Sequence, residues 1–186
     1  QIIYSLLNLQ SNISQNPESI SVINNAKNRV RSMVLIHEKL YQSENIANIN
    51  FTEYITELVN NLINSYQHND KKINVKFDIK NNVHIDIDEA IPCGLIINEI
   101  VTNSLKYAFV NRKEGTIYIK FDFKEMKSGK IKYNLIIRDN GIGLPENIDT
   151  SKSLGMQLIS SLSEQLQGEY KFNNIKSGGV EFSLRF

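Results

Sequence analysis

Four polar side chains on one predicted helix raise the first chemical question. In "NEIVTNSLKYAF" (98–109), Glu99, Asn103 and Lys106 are spaced by four and three residues, with Tyr107 four beyond Asn103, and so share a helical face. Ile97, Ile100, Val101 and Leu105 point in other directions and supply the core face. An acid, a carboxamide and a lysine in one row can serve a charged ligand. They can also be an ordinary solvated stripe, which is common on amphipathic helices. A second signal is "IIRDNGIGLP" (Ile136 to Pro145), where an apolar run ends in Asp139 and is followed by Gly141 and Gly143. A tight turn explains the glycines but not the acid. The stretch lacks the alternating acids and closing Glu of an EF-hand. It lacks the Gly-Lys-Ser/Thr of a Walker loop, and no helix follows directly, as the dinucleotide fingerprint requires. Two further glycine signals come later. Gly155 in "SLGMQLI" opens a predicted helix, and "SGGVEFSLRF" feeds a final strand.

Several elements must position these residues. Residues 1 to about 43 carry helical periodicity alone, with Ile2, Leu6, Leu9 and Ile13 forming one narrow seam. Pro17 in "NPES" starts a second helix, whose seam is Ile23, Ala26, Val30, Met33, His37 and Leu40. The pair predicts an antiparallel hairpin. Two helices cannot bury two such stripes alone, so a homodimeric four-helix bundle through residues 1–43 is expected. With the turn at Asn16–Pro17, Gln1 lies about level with residue 32 at equal rise. The end of the second helix, Met33 to Tyr41, then lacks its partner; repacking, exposed apolar surface or abnormal dimerisation is expected there.

A polar linker, Asn45 to Asn50, separates this hairpin (1–46) from the remainder (47–186). "FTEYITELVNNLINSYQ" (Phe51 to Gln67) reads as a helix with Thr52 as N-cap. Strands are expected at Ile73 to Ile79, in "VHIDI", at Gly115 to Phe123, at Lys130 to Asp139, in "EYKFN" and in "VEFSLRF", with "SGK" turning the third into the fourth. Helices are expected over Asp88 to Phe109 and Leu154 to Leu166. The fold class is α+β: a helical hairpin, then a mixed sheet with helices on one face.

The bulk composition narrows the function classes. With 41% hydrophobic residues among 186, a packed core is expected rather than disorder. The formal net charge of +1 gives no electrostatic footprint for nucleic acid or an anionic membrane. A single cysteine, Cys93, excludes an internal disulfide and a cysteine-based zinc site. No apolar run is long enough to span a bilayer. A reducing, cytoplasmic setting is expected. The chain starts at Gln1 inside a predicted helix and reads as part of something longer.

Taken in order, these motifs resemble the Bergerat-fold ATPases: an Asn-bearing helix, Asp-x-Gly-x-Gly, Leu-Gly before a helix, and Gly-Gly before a last strand. That superfamily includes the ATP-binding domains of histidine kinases, gyrase B and MutL. "QIIYSLLNLQS", "NRVRSMVLIHEKLYQSENIANINFTEYI" and "LIINEIVTNSLKYAF" narrow the resemblance to sensor histidine kinases with the HisKA_2-type dimerisation region. The resemblance covers nearly the whole chain.

It implies ATP and Mg²⁺ as ligands, and a response-regulator receiver domain as partner. Asn103 would coordinate the magnesium, and Glu99 would orient the attacking histidine or take its proton. Lys106 would offer charge to the phosphates, and Tyr107 a hydroxyl. Asp139 would accept from the adenine amino group, with Gly141 and Gly143 leaving room for the base. Gly155 and Met156 would open the helix that closes the nucleotide lid.

Three departures stand out. The stretch between Pro145 and Leu154 is short and lacks a second Gly-x-Gly. Val180 follows the glycine pair where many members carry Thr. The family's acceptor histidine falls about two turns upstream of Gln1, at ~3.6 residues per turn. His37 reads as a packed seam residue, not an acceptor, and "HEKLY" misses the zinc-protease pattern at Tyr41. His68 and His84 have no evident chemistry, and Cys93 reads as a small core residue. The rival readings are another ATPase or serine kinase of the superfamily, and a nonenzymatic dimeric scaffold.

Overall fold

The computed structural model describes residues 2–42, 49–66, 72–80, 83–127, 129–145 and 153–186. Most of the Asn45–Asn50 linker, His68, Ser128 of the "SGK" turn and the lid stretch 146–152 lie outside the described residues.

The core is a five-stranded sheet in the order β2-β4-β5-β7-β6. Its strands are β2 (Lys72–Ile79), β4 (Glu114–Glu125), β5 (Ile131–Asp139), β6 (Glu169–Asn174) and β7 (Val180–Arg185). β2 runs parallel to β4, and the other pairings are antiparallel. Side chains alternate along each strand with period two. Ile117, Ile119 and Phe121 of β4 and Tyr133, Leu135 and Ile137 of β5 point to one buried face. Tyr118, Lys120 and Asp122 lie on the other face, in a partly solvated lattice with Asp78, Arg138 and Glu181. Helices α3 (Phe51–Tyr66), α4 (Ile87–Asn103) and α5 (Leu154–Gln165) cover the apolar face. This is the expected mixed sheet with helices on one side.

Local chemistry explains several differences from the sequence expectation. "VHIDI" contributes only β3, His84–Ile85, which pairs with β1, Ile49–Asn50, in a separate ribbon. The polar linker therefore ends in structure. α3 is capped by Asn50 and not by Thr52. Asn50 Oδ1 accepts from the Glu53 amide at 3.3 Å, and its Nδ2 donates to Glu53 Oε1 at 2.9 Å, in capping-box fashion. The Thr52 hydroxyl is diverted to the Lys80 carbonyl. α4 does not run evenly to Phe109; it widens into a π turn over Ser104–Ala108.

The hairpin comprises α1 (Ile2–Ile13) and α2 (Pro17–Gln42). The α1 seam of Ile2, Leu6, Leu9 and Ile13 is exposed, and α1 has no buried residue. α2 packs on α3 and α4 through Ser32, Leu35 and Ile36. One side of residues 32–36 thus gains cover from α3 and α4, while Met33 and Val34 stay exposed. His37 is exposed in the single chain, like the α1 seam that is expected to pack in a dimer. α2 carries two competing stripes, and the one facing the larger apolar body is buried. No helix among the described residues is long and apolar enough to cross a membrane.

Candidate functional site

α4 is buried almost throughout, from Pro92 to Thr102, because the sheet-side core lies beneath it and α2 lies across it. Its polar residues are therefore not a solvated stripe. Glu99 is only 7% exposed and forms a bidentate pair with Arg29 of α2. Asn98 donates to the Ser32 hydroxyl at 2.8 Å and accepts from Thr102. Between α2, α4, the π turn, β5 and the start of α5 lies a cavity of about 630 Å³. That falls in the range of small-molecule sites.

One end is organised around Asp139, the last residue of β5. Its Oδ1 accepts from the Gly141 amide at 2.9 Å and the Val180 amide at 3.3 Å. Its Oδ2 accepts from the Ser104 hydroxyl at 3.0 Å. The acid is thus pinned from three directions while lining the cavity. The nearby glycines have distinct reasons. A Cβ on Gly141 would sit 2.3 Å from the Ala108 carbonyl oxygen, so Gly141 lets the loop meet the π turn, where Ile142 N donates to Ala108 O at 3.0 Å. Gly141 itself is buried and does not line the cavity. Gly143 does line it, at a φ of +83°, and Asn174 brackets the adjoining Leu144 with two hydrogen bonds. Gly179 has a φ of +96°, and its added Cβ would lie 1.9 Å from the Asp139 carbonyl oxygen. Gly179 therefore lets the turn entering β7 pass close against the backbone of Asp139. Ile137, Phe172 and Phe182 supply apolar wall.

The other end collects Glu99, Asn103, Lys106 and Tyr107 with Gly155 and Met156. The Asn103 carboxamide lines the cavity with no hydrogen-bond partner among the described residues. Lys106 donates to Asn25 Oδ1 at 2.6 Å and reaches the Ser21 hydroxyl at 3.4 Å. Burial is the main cause pulling its ammonium below the usual lysine range, partly offset by Glu99. The hydrogen bond to Glu99 is the main cause raising the Arg29 guanidinium. Tyr107 stands at the rim, 64% exposed. Gly155 backs onto Glu99: an added Cβ would lie 3.0 Å from Glu99 Oε2. α5 is N-capped by Ser153, whose hydroxyl accepts from the Met156 amide at 3.2 Å.

Residues 88–186 match the family model described as Histidine kinase-, DNA gyrase B-, and HSP90-like ATPase. The chain belongs to that ATPase family. Residues 1–66 match the HisKA_2 histidine kinase model, so the chain joins the two modules of a histidine kinase core. Sensor histidine kinase PdtaS of Mycolicibacterium smegmatis is 26% identical over 189 residues. The alignment covers all of this chain but 36% of that relative. Blue-light-activated histidine kinase 2 of Erythrobacter litoralis is 29% identical, over 59% of this chain and 29% of its own length. Among solved structures, the histidine kinase domain of the Erythrobacter litoralis EL346 blue-light activated histidine kinase superposes with a TM-score of 0.73. The identity is 18%, and the match covers 100% of this chain and 94% of that one. Acinetobacter baumannii histidine kinase AdeS gives 0.60 at 16% identity, over 99% and 94% of the two chains.

The cavity of this ATPase-family chain suits an adenine nucleotide with a hard cation. A carboxyl group stands at one end; a carboxamide without a hydrogen-bond partner among the described residues and an ammonium stand at the other. No cluster of three His, Cys, Asp or Glu side chains suited to a metal occurs among the described residues. Sequence reasoning missed Ser104, which brings to Asp139 a hydroxyl that Val180 lacks. It also missed Val22, Asn25, Ala26 and Arg29 of α2, which line the cavity. Arg29 and Asn25 fall on one face four residues apart, but nothing in the sequence pairs them with α4.

Proposed function

We propose that this chain is the ATP-dependent protein-histidine kinase core of a two-component signalling system. Residues 1–46 form the dimerisation and phosphotransfer hairpin, and residues 47–186 the ATP-binding domain. It binds Mg-ATP and moves the γ-phosphoryl group to a histidine upstream of residue 1. The aspartate of a response-regulator receiver domain then takes that group, in the cytoplasm. The observation that carries this reading is the single cavity joining Asp139 to Glu99, Asn103 and Lys106. Asp139 accepts from the adenine amino group, with Gly141 shaping its loop and Gly143 beside the base. Lys106 and the amides at Gly155 and Met156 face phosphate, Tyr107 offers a hydroxyl at the rim, and Glu99 takes the histidine proton. Asn103 would hold a magnesium ion, which would supply charge neutralisation at the phosphates. Positioning and charge neutralisation supply most of the acceleration. The exposed α1 seam supports homodimerisation.

Calorimetric titration with ATP and magnesium tests the proposal, with Asp139→Ala as control. Saturable binding by the parent and none by the variant is expected. No binding by the parent would favour a nonenzymatic scaffold. Acid-labile, alkali-stable phosphate on the full-length protein would exclude a serine kinase. Radiolabel from γ-labelled ATP on residues 1–186 would overturn the upstream acceptor and point to His37.

A further inference from the structure

α2 sends one polar stripe into the phosphate end of the cavity. Ser21, Asn25 and Arg29 are spaced by four residues, and Ser32 continues the row. Arg29 donates from Nε to Glu99 Oε1 at 2.7 Å and from Nη2 to Glu99 Oε2 at 2.8 Å. The Arg29 and Glu99 side chains keep only 21% and 9% of their exposure, so the fork is largely shielded from water. Asn25 and Ser21 take the Lys106 ammonium, and the Tyr66 hydroxyl of α3 adds long contacts to Asn25 and Asn28. The acid and the cation assigned to phosphoryl chemistry are therefore both held by the hairpin.

The physical consequence is specific. Both Glu99 oxygens are occupied by Arg29 donors, so neither is directed at an incoming proton donor while the fork holds. A lysine whose partners are neutral oxygens will exchange them for a polyphosphate, whose negative charge adds Coulomb attraction that Asn25 and Ser21 cannot supply. Over residues 21–32 the contact is made by hydrogen bonds, whereas Leu35 and Ile36 beyond it are buried in the core.

We propose that Arg29 and Asn25 form a latch that senses the phosphate end. While that end is empty, the latch holds α2 on α4, and Arg29, as a positioning residue, keeps Glu99 from acting as a base. A triphosphate draws Lys106 from Asn25, the stripe loses its hold, and Glu99 is freed from Arg29. Adenosine, which reaches only the Asp139 end, leaves the latch closed. The proposal rests on the nucleotide reading above.

Binding is reciprocal: whatever triphosphate loosens must, when loosened by mutation, tighten triphosphate. The test measures ATP-magnesium and adenosine affinities for the parent, Arg29→Ala and Asn25→Ala. Hydrogen exchange of α2 amides 21–32 is followed in the parent with each ligand. Both variants should bind ATP roughly fivefold tighter or more, the lower range of allosteric coupling, with adenosine unchanged. ATP should speed α2 exchange in the parent, and adenosine should not. Weaker ATP binding by both variants would make these residues phosphate ligands and overturn the latch. So would unchanged affinities, or α2 exchange indifferent to ATP. Arg29→Ala strands a shielded carboxylate; if it does not fold, Asn25→Ala and the parent's exchange decide alone. Failure of the parent to bind adenosine would sink the nucleotide reading as well, a result distinct from failure of the latch.

Discussion

Replacing Asp139 by Asn separates the acid's structural task from its proposed chemical one. Asp139 accepts three hydrogen bonds, from Gly141 N, Val180 N and Ser104 Oγ. Asn retains Oδ1 for the two amides, and its Nδ2 replaces Oδ2 opposite Ser104, whose hydroxyl rotates to accept. Stability should therefore stay within about 1 kcal/mol of the parent. Ala removes all three bonds, each worth about 1 kcal/mol net, and should cost about 3 kcal/mol. Binding should behave differently. At the cavity face, Asn presents a donor where the adenine amino group needs an acceptor. Hydrogen bonds to charged groups are worth about 1.5–3 kcal/mol, so ATP affinity should fall about 10- to 150-fold. Calorimetry with ATP and magnesium reads the binding, and thermal unfolding reads the fold. Parent-like affinity in Asp139→Asn would refute base reading by this acid. An unfolding loss matching that of Asp139→Ala would show that its charge serves the fold instead.

Ser104→Ala should weaken ATP by about two- to tenfold, because it frees Asp139 Oδ2 to rotate. A double variant with Asp139→Asn should show no further loss; additive losses would place Ser104 in a separate contact. Tyr54→Phe should raise the melting temperature. The Tyr54 hydroxyl is buried with no partner among the described residues. Removing it should return about 1 kcal/mol, or about 2–4 °C for a domain of this size. A lower melting temperature would reveal a hydrogen bond to that hydroxyl. Glu at Leu6 and Leu9, now 57% and 58% exposed on α1, should convert a dimer to monomer in sedimentation. A dimer that persists would move the interface elsewhere.

The sequence by itself determined what depends on near neighbours. β4 and β5 alternate with period two, so their buried faces were legible before any partner was known. Asp139 with Gly143 was legible because an acid closing an apolar run, followed by Gly-x-Gly, is a pattern within five residues. The row of Glu99, Asn103 and Lys106 followed from helical spacing. Tertiary structure decided what depends on competition between distant groups. Thr52 and Asn50 are both good caps, and the choice fell to Asn50 because the Lys80 carbonyl claims Thr52. α2 offers two stripes of similar period; burial of Ser32, Leu35 and Ile36, with His37 left outside, was settled by the body α2 packs against. The π turn exists where Ala108 O meets Ile142 N and Ser104 meets Asp139, an arrangement no helix period encodes. Arg29 reaches Glu99 from 70 residues away. Its place in the site comes from docking two surfaces, and an isolated arginine on a helix carries no mark of that.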